Sequence, residues 1–232
     1  MKLNIKELLD FFDDKKDSEK EDANALMTIL GEELNASAYK HFRNNEVEIL
    51  NDPVGPGTLE GKRLDRWILD KKNKKLYQCE IKNYAATAVV GGGYQLKSND
   101  IDEEIKKVAT RLWEHELEIN FSNEKKHPNG HTKVLLKMRR PKKYINISKT
   151  EPLLIYWMPI FSDRKGLKTL SFLNIKELGL KLKTEFDKLQ IFSVSLYLRQ
   201  LYKNCKGKKF INLEMPHFEH RMQILNKLRN KE

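Results

Sequence analysis

The chain has 232 residues, 39% hydrophobic and 33% charged, with a formal net charge of +11. That length suits one large domain or a domain with an appendage, and no run of 18 apolar residues offers a transmembrane helix. Two cysteines, Cys79 and Cys205, cannot build a disulfide framework or a four-cysteine zinc site, and MKLNIKELLDFFDD lacks the apolar core of a signal peptide, so a cytoplasmic location is expected.

Asp22 or Asn24 is placed to cap a helix through ALMTILGEELNASAYKHFR, with Ala25, Ile29, Ala36, Tyr39 and Phe42 as its apolar stripe. VEIL (47–50) reads as a short strand, and NDPVGPG after it as a Pro/Gly loop. RLDRWIL and KLYQCEIK read as two strands of a hairpin turning through DKKNK. GGGY (91–94) breaks the chain before Asp100 opens a helix through IDEEIKKVATRLWEHELEI, striped by Ile101, Ile105, Val108, Leu112 and His115. The following segment, 125–149, fits a hairpin or a long loop. EPLLIYWMPI is a continuous apolar run between prolines, as in a buried strand. A helical stretch, NIKELGLKLKTEF, and a strand, KLQIF, come next. Ser193 or Ser195 is placed to cap a helix through Tyr202, and Pro216 to open a last helix, PHFEHRMQILNKL. Helices interleaved with strands predict an α/β layer fold.

The charge is segregated. Residues 1–60 hold 14 acidic side chains against 7 Lys and Arg, and the other 172 residues hold 37 Lys and Arg against 19 acids. Lys125–Lys149 carries nine Lys and Arg and no Asp or Glu. A basic surface of that size predicts a polyanionic partner, with nucleic acid, DNA or RNA, the first candidate. Lys133, Lys137, Arg139, Arg140, Lys142 and Lys143 are the expected phosphate contacts.

Within LYQCEIK, Gln78, Glu80 and Lys82 fall on one face and Tyr77, Cys79 and Ile81 on the other. Glu-x-Lys alone means little, since the pattern [DE]-x-K occurs eight times in the chain. The hairpin adds what the motif lacks. Centring the turn between Lys72 and Asn73 sets Asp65 directly opposite Glu80, with Cβ atoms roughly 5 Å apart. Two facing carboxylates destabilise a ladder unless solvent, a base or a cation offsets them. Two carboxylates are also what Mg²⁺ takes from a protein when phosphates supply its other ligands. The competing reading is a solvated face on which Lys82 bridges the acids, worth roughly 0–1 kcal/mol. His127 and His131 in HPNGH, and His217 and His220, are weaker candidates for metal ligands.

Glu32, Asp65 and Glu80-Ile-Lys82 resemble the motif of the PD-(D/E)xK nuclease superfamily, over about Ala25 to Pro159. The resemblance implies a restriction-endonuclease-like core, a mixed central sheet flanked by helices in the order αβββαβ. Residues 1–160 would form that core with N-terminal helices, and 161–232 a C-terminal α/β extension packed on it. It implies that Asp65, Glu80 and the Ile81 carbonyl bind Mg²⁺, with Mn²⁺ able to substitute. Lys82 would orient the attacking water, and Glu32, with Glu33 as its rival, would supply the helix carboxylate. Leu64 stands where many members have proline. Gln95 is similar to a glutamine that some members place near the site. The implied activity is DNA endonuclease, in restriction, phage defence or repair, with a homodimer compatible with cutting both strands. The alternative is a catalytically silent nucleic-acid-binding module.

Overall fold

The computed structural model describes residues 1–13, 20–50, 64–84, 96, 103–122, 130–160, 168–179, 184–204 and 209–229. The NDPVGPG and GGGY segments, Gln95, the Asp100 cap, His127 and Cys205 lie outside them. The fold is mixed α/β. Six strands form one mixed sheet in the order β2-β3-β4-β5-β7-β6: β2 (Val47–Leu50), β3 (Arg66–Asp70), β4 (Lys75–Lys82), β5 (Lys149–Tyr156), β6 (Leu170–Asn174) and β7 (Lys188–Ser193). The first three are antiparallel. β5 then runs parallel to both β4 and β7, and β6 closes the far edge antiparallel to β7. Two short strands, β1 (Lys2–Asn4) and β8 (Phe210–Asn212), pair separately and join the N-terminal and C-terminal segments.

Helices lie on both faces. α1 (Ile5–Asp13), α2 (Lys20–Phe42) and α4 (Val194–Asn204) pack on the face that carries Tyr77, Cys79 and Ile81. α3 (Glu103–Asn120) packs on the other face, against Leu154, Tyr156 and Ile191. α3 is the crossover that parallel pairing of β4 and β5 requires. The last helix, α5 (Pro216–Arg229), begins at the proline that fits a first helical position. No described helix is long and apolar enough to cross a membrane.

The hairpin register is the expected one: Arg66 faces Cys79, Trp67 faces Gln78 and Leu69 faces Leu76. Asp70 holds the turn, accepting from the Asn73 amide at 2.9 Å and from its side-chain nitrogen at 2.9 Å, while Lys74 takes a positive φ of 48°. Arg43 reaches the same carboxylate at 2.8 Å. Pro152 is tolerated in β5 because it pairs there only with Gln78 of β4; pairing to β7 starts at Leu153.

Other expectations need correction. α2 begins by Lys20, so Asp22 lies within its first turn. Ala36 and Tyr39 are buried as expected and Phe42 is partly buried, but Ala25 and Ile29 are exposed, and the N-terminal half of α2 buries Ala23 and Met27. Of the helix expected over NIKELGLKLKTEF, the described residues form a 3₁₀ turn, Ile175–Leu178, and 180–183 lie outside them. Asn174 caps that turn, and Gly179 ends it in the left-handed conformation at φ 57°, which terminates helices. The described part of the basic segment, 130–149, forms two short 3₁₀ turns, Thr132–Leu135 and Lys142–Tyr144, joined by irregular chain. Ser193, not Ser195, caps α4: its hydroxyl accepts from the Leu196 amide at 3.3 Å.

Candidate active site

The site is built at the C-terminal end of β4. Period-2 alternation puts Gln78, Glu80 and Lys82 on the α3 side of the sheet. That side is not solvated here. Gln78 is 1% exposed and Glu80 2%, which removes the reading of a water-facing salt bridge. Asp65 sits in the bend just before β3, continuing the register toward Glu80. Its Oδ2 accepts from the Ile81 amide at 2.7 Å, which anchors the carboxylate where the β3 ladder has stopped. The N–H and C=O of one strand residue point the same way, so the Ile81 carbonyl faces the Asp65 side too.

Two ammonium groups meet these carboxylates. Lys82 Nζ lies 2.7 Å from Glu80 Oε1. Lys133 Nζ lies 2.7 Å from Glu80 Oε2 and 3.7 Å from Asp65 Oδ1. The Oε2 contact is an ion pair without the alignment of a hydrogen bond. Burial, and then the nearby Asp65 charge, push the Glu80 carboxyl up to about 7 despite both lysines. The chain also passes close over the pair: a Cβ at Gly130 would stand 3.2 Å from Lys82 Nζ and would shift that ammonium by a few tenths of an ångström.

This raised carboxyl sets a pH signature. The folded state holds a proton on Glu80 that the unfolded chain releases near its ordinary value of 4.5. The group's stabilising contribution is therefore full below about 4.5 and is lost as pH rises through about 7. In EDTA, the stability of the wild type relative to Glu80→Gln should fall by about 1–3 kcal/mol between pH 5 and pH 8. Urea unfolding at the two pH values measures it, and parallel curves for the two proteins would contradict it.

Glu32 and Glu33 part company. Glu33 accepts from the His217 and Phe218 amides at 2.8 Å each, capping α5. Glu32 pairs with Arg66 at 3.1 Å, and Arg66 donates to the Asp65 carbonyl at 2.6 Å. Glu32 thus reaches the site through Arg66 rather than by touching the Asp65–Glu80 pair. α2 comes this close because position 31 is glycine; a Cβ there would stand 2.5 Å from the Asn83 Cβ.

The basic segment does cross the site face. The Gln78 side-chain amide donates to the carbonyls of Val134 and Leu136, the latter at 2.7 Å, clamping the first 3₁₀ turn onto β4. Farther along the face, Gln78, Arg139, Arg140 and Lys142 line a cleft of about 440 Å³. Arg139, Lys142 and Lys143 are exposed. Arg140 is engaged internally, with Thr150 Oγ1 at 3.0 Å and the Ile147 and Ser148 carbonyls at 2.6 and 3.2 Å. Lys137 pairs with Glu185 at 3.1 Å.

Sequence reasoning missed one neighbour of the site. Glu116 of α3 is 1% exposed and accepts from the Tyr84 and Tyr156 hydroxyls at 2.9 and 3.1 Å. His131 Nε2 lies 3.0 Å from it. These hydrogen bonds and the His131 charge hold the Glu116 carboxyl below its usual range against the cost of burial. The signal was present: Glu116 continues the 105, 108, 112 stripe of α3. Lys82, Tyr84 and His131 share a cleft of about 450 Å³ with Asn24 and Thr28. Cys79 is fully buried, and burial pushes its thiol up, so it is an inert core residue.

Among the described residues no three His, Cys, Asp or Glu side chains converge as a ready cation cage. Two hard carboxylate oxygens beside a strand carbonyl suit Mg²⁺ of the kind that relies on water and phosphate for its other ligands. No protein-family model matches the chain, and neither does any curated protein or solved structure.

Proposed function

We propose that the chain is a Mg²⁺-dependent endonuclease of the PD-(D/E)xK type acting on DNA, with a restriction-endonuclease-like core running from α2 to β5. The observation that carries this reading is Glu80. It is a buried carboxylate two residues from a lysine and beside a second carboxylate, at the open end of a strand. A structural ion pair gains little from such burial, because desolvation offsets most of the attraction. A site that must hold a cation and a phosphate has a use for it.

Asp65, Glu80 and the Ile81 carbonyl would hold the metal, and Mn²⁺ should replace Mg²⁺. When bound, the metal would polarise the phosphodiester and lower the pKa of a coordinated water. Lys82 would orient the attacking water and offset the charge that develops on phosphorus. Glu32 would act through Arg66 on the position of Asp65. The cleft shared by Lys82, Tyr84 and His131 gives the backbone a place to approach.

Lys82 tests this assignment. Lys82→Met should fold normally and cut hundreds-fold more slowly, about the loss of one preorganised electrostatic donor. Lys82→Arg keeps the charge, but its planar guanidinium cannot place a compact ammonium beside the water, so it should recover binding and little rate. Near-normal cutting by Lys82→Met in single-turnover assays would remove Lys82 from the chemistry.

Backbone binding falls to the exposed part of the basic segment. Replacing Arg139, Lys142 and Lys143 by Ala should weaken binding alike on all sequences. Each lost phosphate contact should reduce the log–log salt slope by about 0.9 on duplex DNA. Arg140→Ala should instead destabilise the fold, because it strips the carbonyls at 147 and 148 of their donor. Filter binding from 50 to 300 mM salt separates these effects, and an unchanged slope in the triple variant would place the DNA surface elsewhere.

A further inference from the structure

Lys133 belongs by sequence to the basic run, yet its ammonium lies between the two carboxylates, 2.7 Å from Glu80 and 3.7 Å from Asp65. The placement is built rather than incidental. Thr132, Val134 and Leu135 on either side are buried, so the 3₁₀ turn has a fixed orientation. The Gln78 amide grips the Val134 and Leu136 carbonyls, tying that turn to the same strand face two residues from Glu80.

Resting on the nuclease reading above, we infer that Lys133 is a tethered counter-cation. It holds Asp65 and Glu80 in their ligating arrangement, and a divalent cation must displace it to bind. The electrostatics follow from the geometry. Removing Lys133 would leave two neighbouring carboxylates with only Lys82 to offset them, and neighbouring like charges repel. A dication offered to Glu80 Oε2 meets an ammonium already there, so the attraction available to it is reduced. An incoming phosphate changes the balance, because it offers Lys133 another anion and the metal another ligand. Lys133 therefore couples the two ligands: the cation binds weakly to the free protein and more tightly once DNA has drawn the ammonium away.

The test uses Mn²⁺ as the probe and full-length protein, with affinity read by electron paramagnetic resonance of free Mn²⁺ and no turnover needed. Lys133→Gln should bind Mn²⁺ at least about tenfold tighter than the wild type, since a competing unit charge is gone. Its melting temperature in EDTA should fall, and it should regain more on adding Mn²⁺ than the wild type does. Lys133→Arg keeps the charge and should stay within about threefold of the wild-type affinity. Duplex DNA should tighten Mn²⁺ binding by the wild type and much less by Lys133→Gln. Equal Mn²⁺ affinity in the wild type and Lys133→Gln, with binding still lost in Glu80→Ala, overturns the role of Lys133 while leaving the metal site in place. Absence of Mn²⁺ binding in all of them overturns both. Should Lys133→Gln fail to fold, tightening of more than about tenfold in Lys133→Arg would overturn the inference by itself.

Discussion

Asp65→Ala and Glu80→Ala are each expected to abolish detectable DNA cleavage, a loss above about a thousandfold, while leaving DNA binding in EDTA near the wild-type level. The two residues share the proposed cation, so losing either removes the charge that polarises the phosphate. The variants should nonetheless differ in the free protein. Glu80 is buried and carries a raised carboxyl, and it is the partner of both Lys82 and Lys133. Its removal ends a costly buried charge but leaves two ammonium groups facing each other. Asp65 is more exposed, and its loss costs mainly the hydrogen bond to the Ile81 amide. Asp65→Ala should therefore lose about 1 kcal/mol of stability. Gel assays in Mg²⁺ and binding in EDTA check the pair, and full cleavage by both variants would end the assignment.

Asp13→Ala is expected to be among the most destabilising single changes in the chain, by about 3–5 kcal/mol. Asp13 is fully buried, and its carboxylate ties α1 to α4 and to the chain just after β5. It accepts from Trp157 Nε1 at 2.9 Å, from Ser195 Oγ at 2.6 Å and from Arg199 Nη2 at 2.8 Å. Arg199 is 1% exposed, so truncating Asp13 takes away a carboxylate 2.8 Å from a buried guanidinium. The damage should reach the site. Trp157 follows β5, and its amide donates to the Lys82 carbonyl at 2.9 Å, which helps to hold the end of β4. A domain of ordinary stability has only about 5–15 kcal/mol to lose. Asp13→Asn keeps the hydrogen-bonding shape without the charge and should fall between. The double variant Asp13→Leu with Arg199→Met should cost less than the sum of its parts, because the two members of the pair are removed together. Urea unfolding of these variants and of the two single parts of the double one measures the losses, and a loss below about 1 kcal/mol for Asp13→Ala would mean that water reaches the ion pair.

The strands could be read from sequence where local rules decide. The Glu80–Lys82 face and the Asp65 register follow from period-2 alternation and a turn, both fixed within twenty residues. The existence of α2, α3, α4 and α5 was equally legible, but α1, the absence of a helix after Asn174 in the described residues, and helix phase were not. In α3 the stripe was extended to His115, whereas Glu116 is the residue that turns inward. In α2 the exposed Ile29 looks as apolar as the buried Met27. β6 went unread because LSFLN lies at a sheet edge and keeps Phe172 exposed. Nothing local announces the contacts that complete the site. Lys133 is placed by Gln78, 56 residues before Val134. Asp13 meets Arg199 across 186 residues. Glu32 and Glu33 look interchangeable until α5 claims one of them. Long-range partners of this kind follow from which surfaces the finished sheet brings together.

The most direct measurement is to incubate the wild-type protein with supercoiled plasmid, linear duplex, single-stranded DNA and RNA, in Mg²⁺, in Mn²⁺ and in EDTA. A metal-dependent nuclease should nick or linearise the plasmid in either metal and leave it intact in EDTA, with DNA cut in preference to RNA. Tight, salt-dependent binding with no cleavage of any substrate in either metal would contradict that reading and leave a nucleic-acid-binding module.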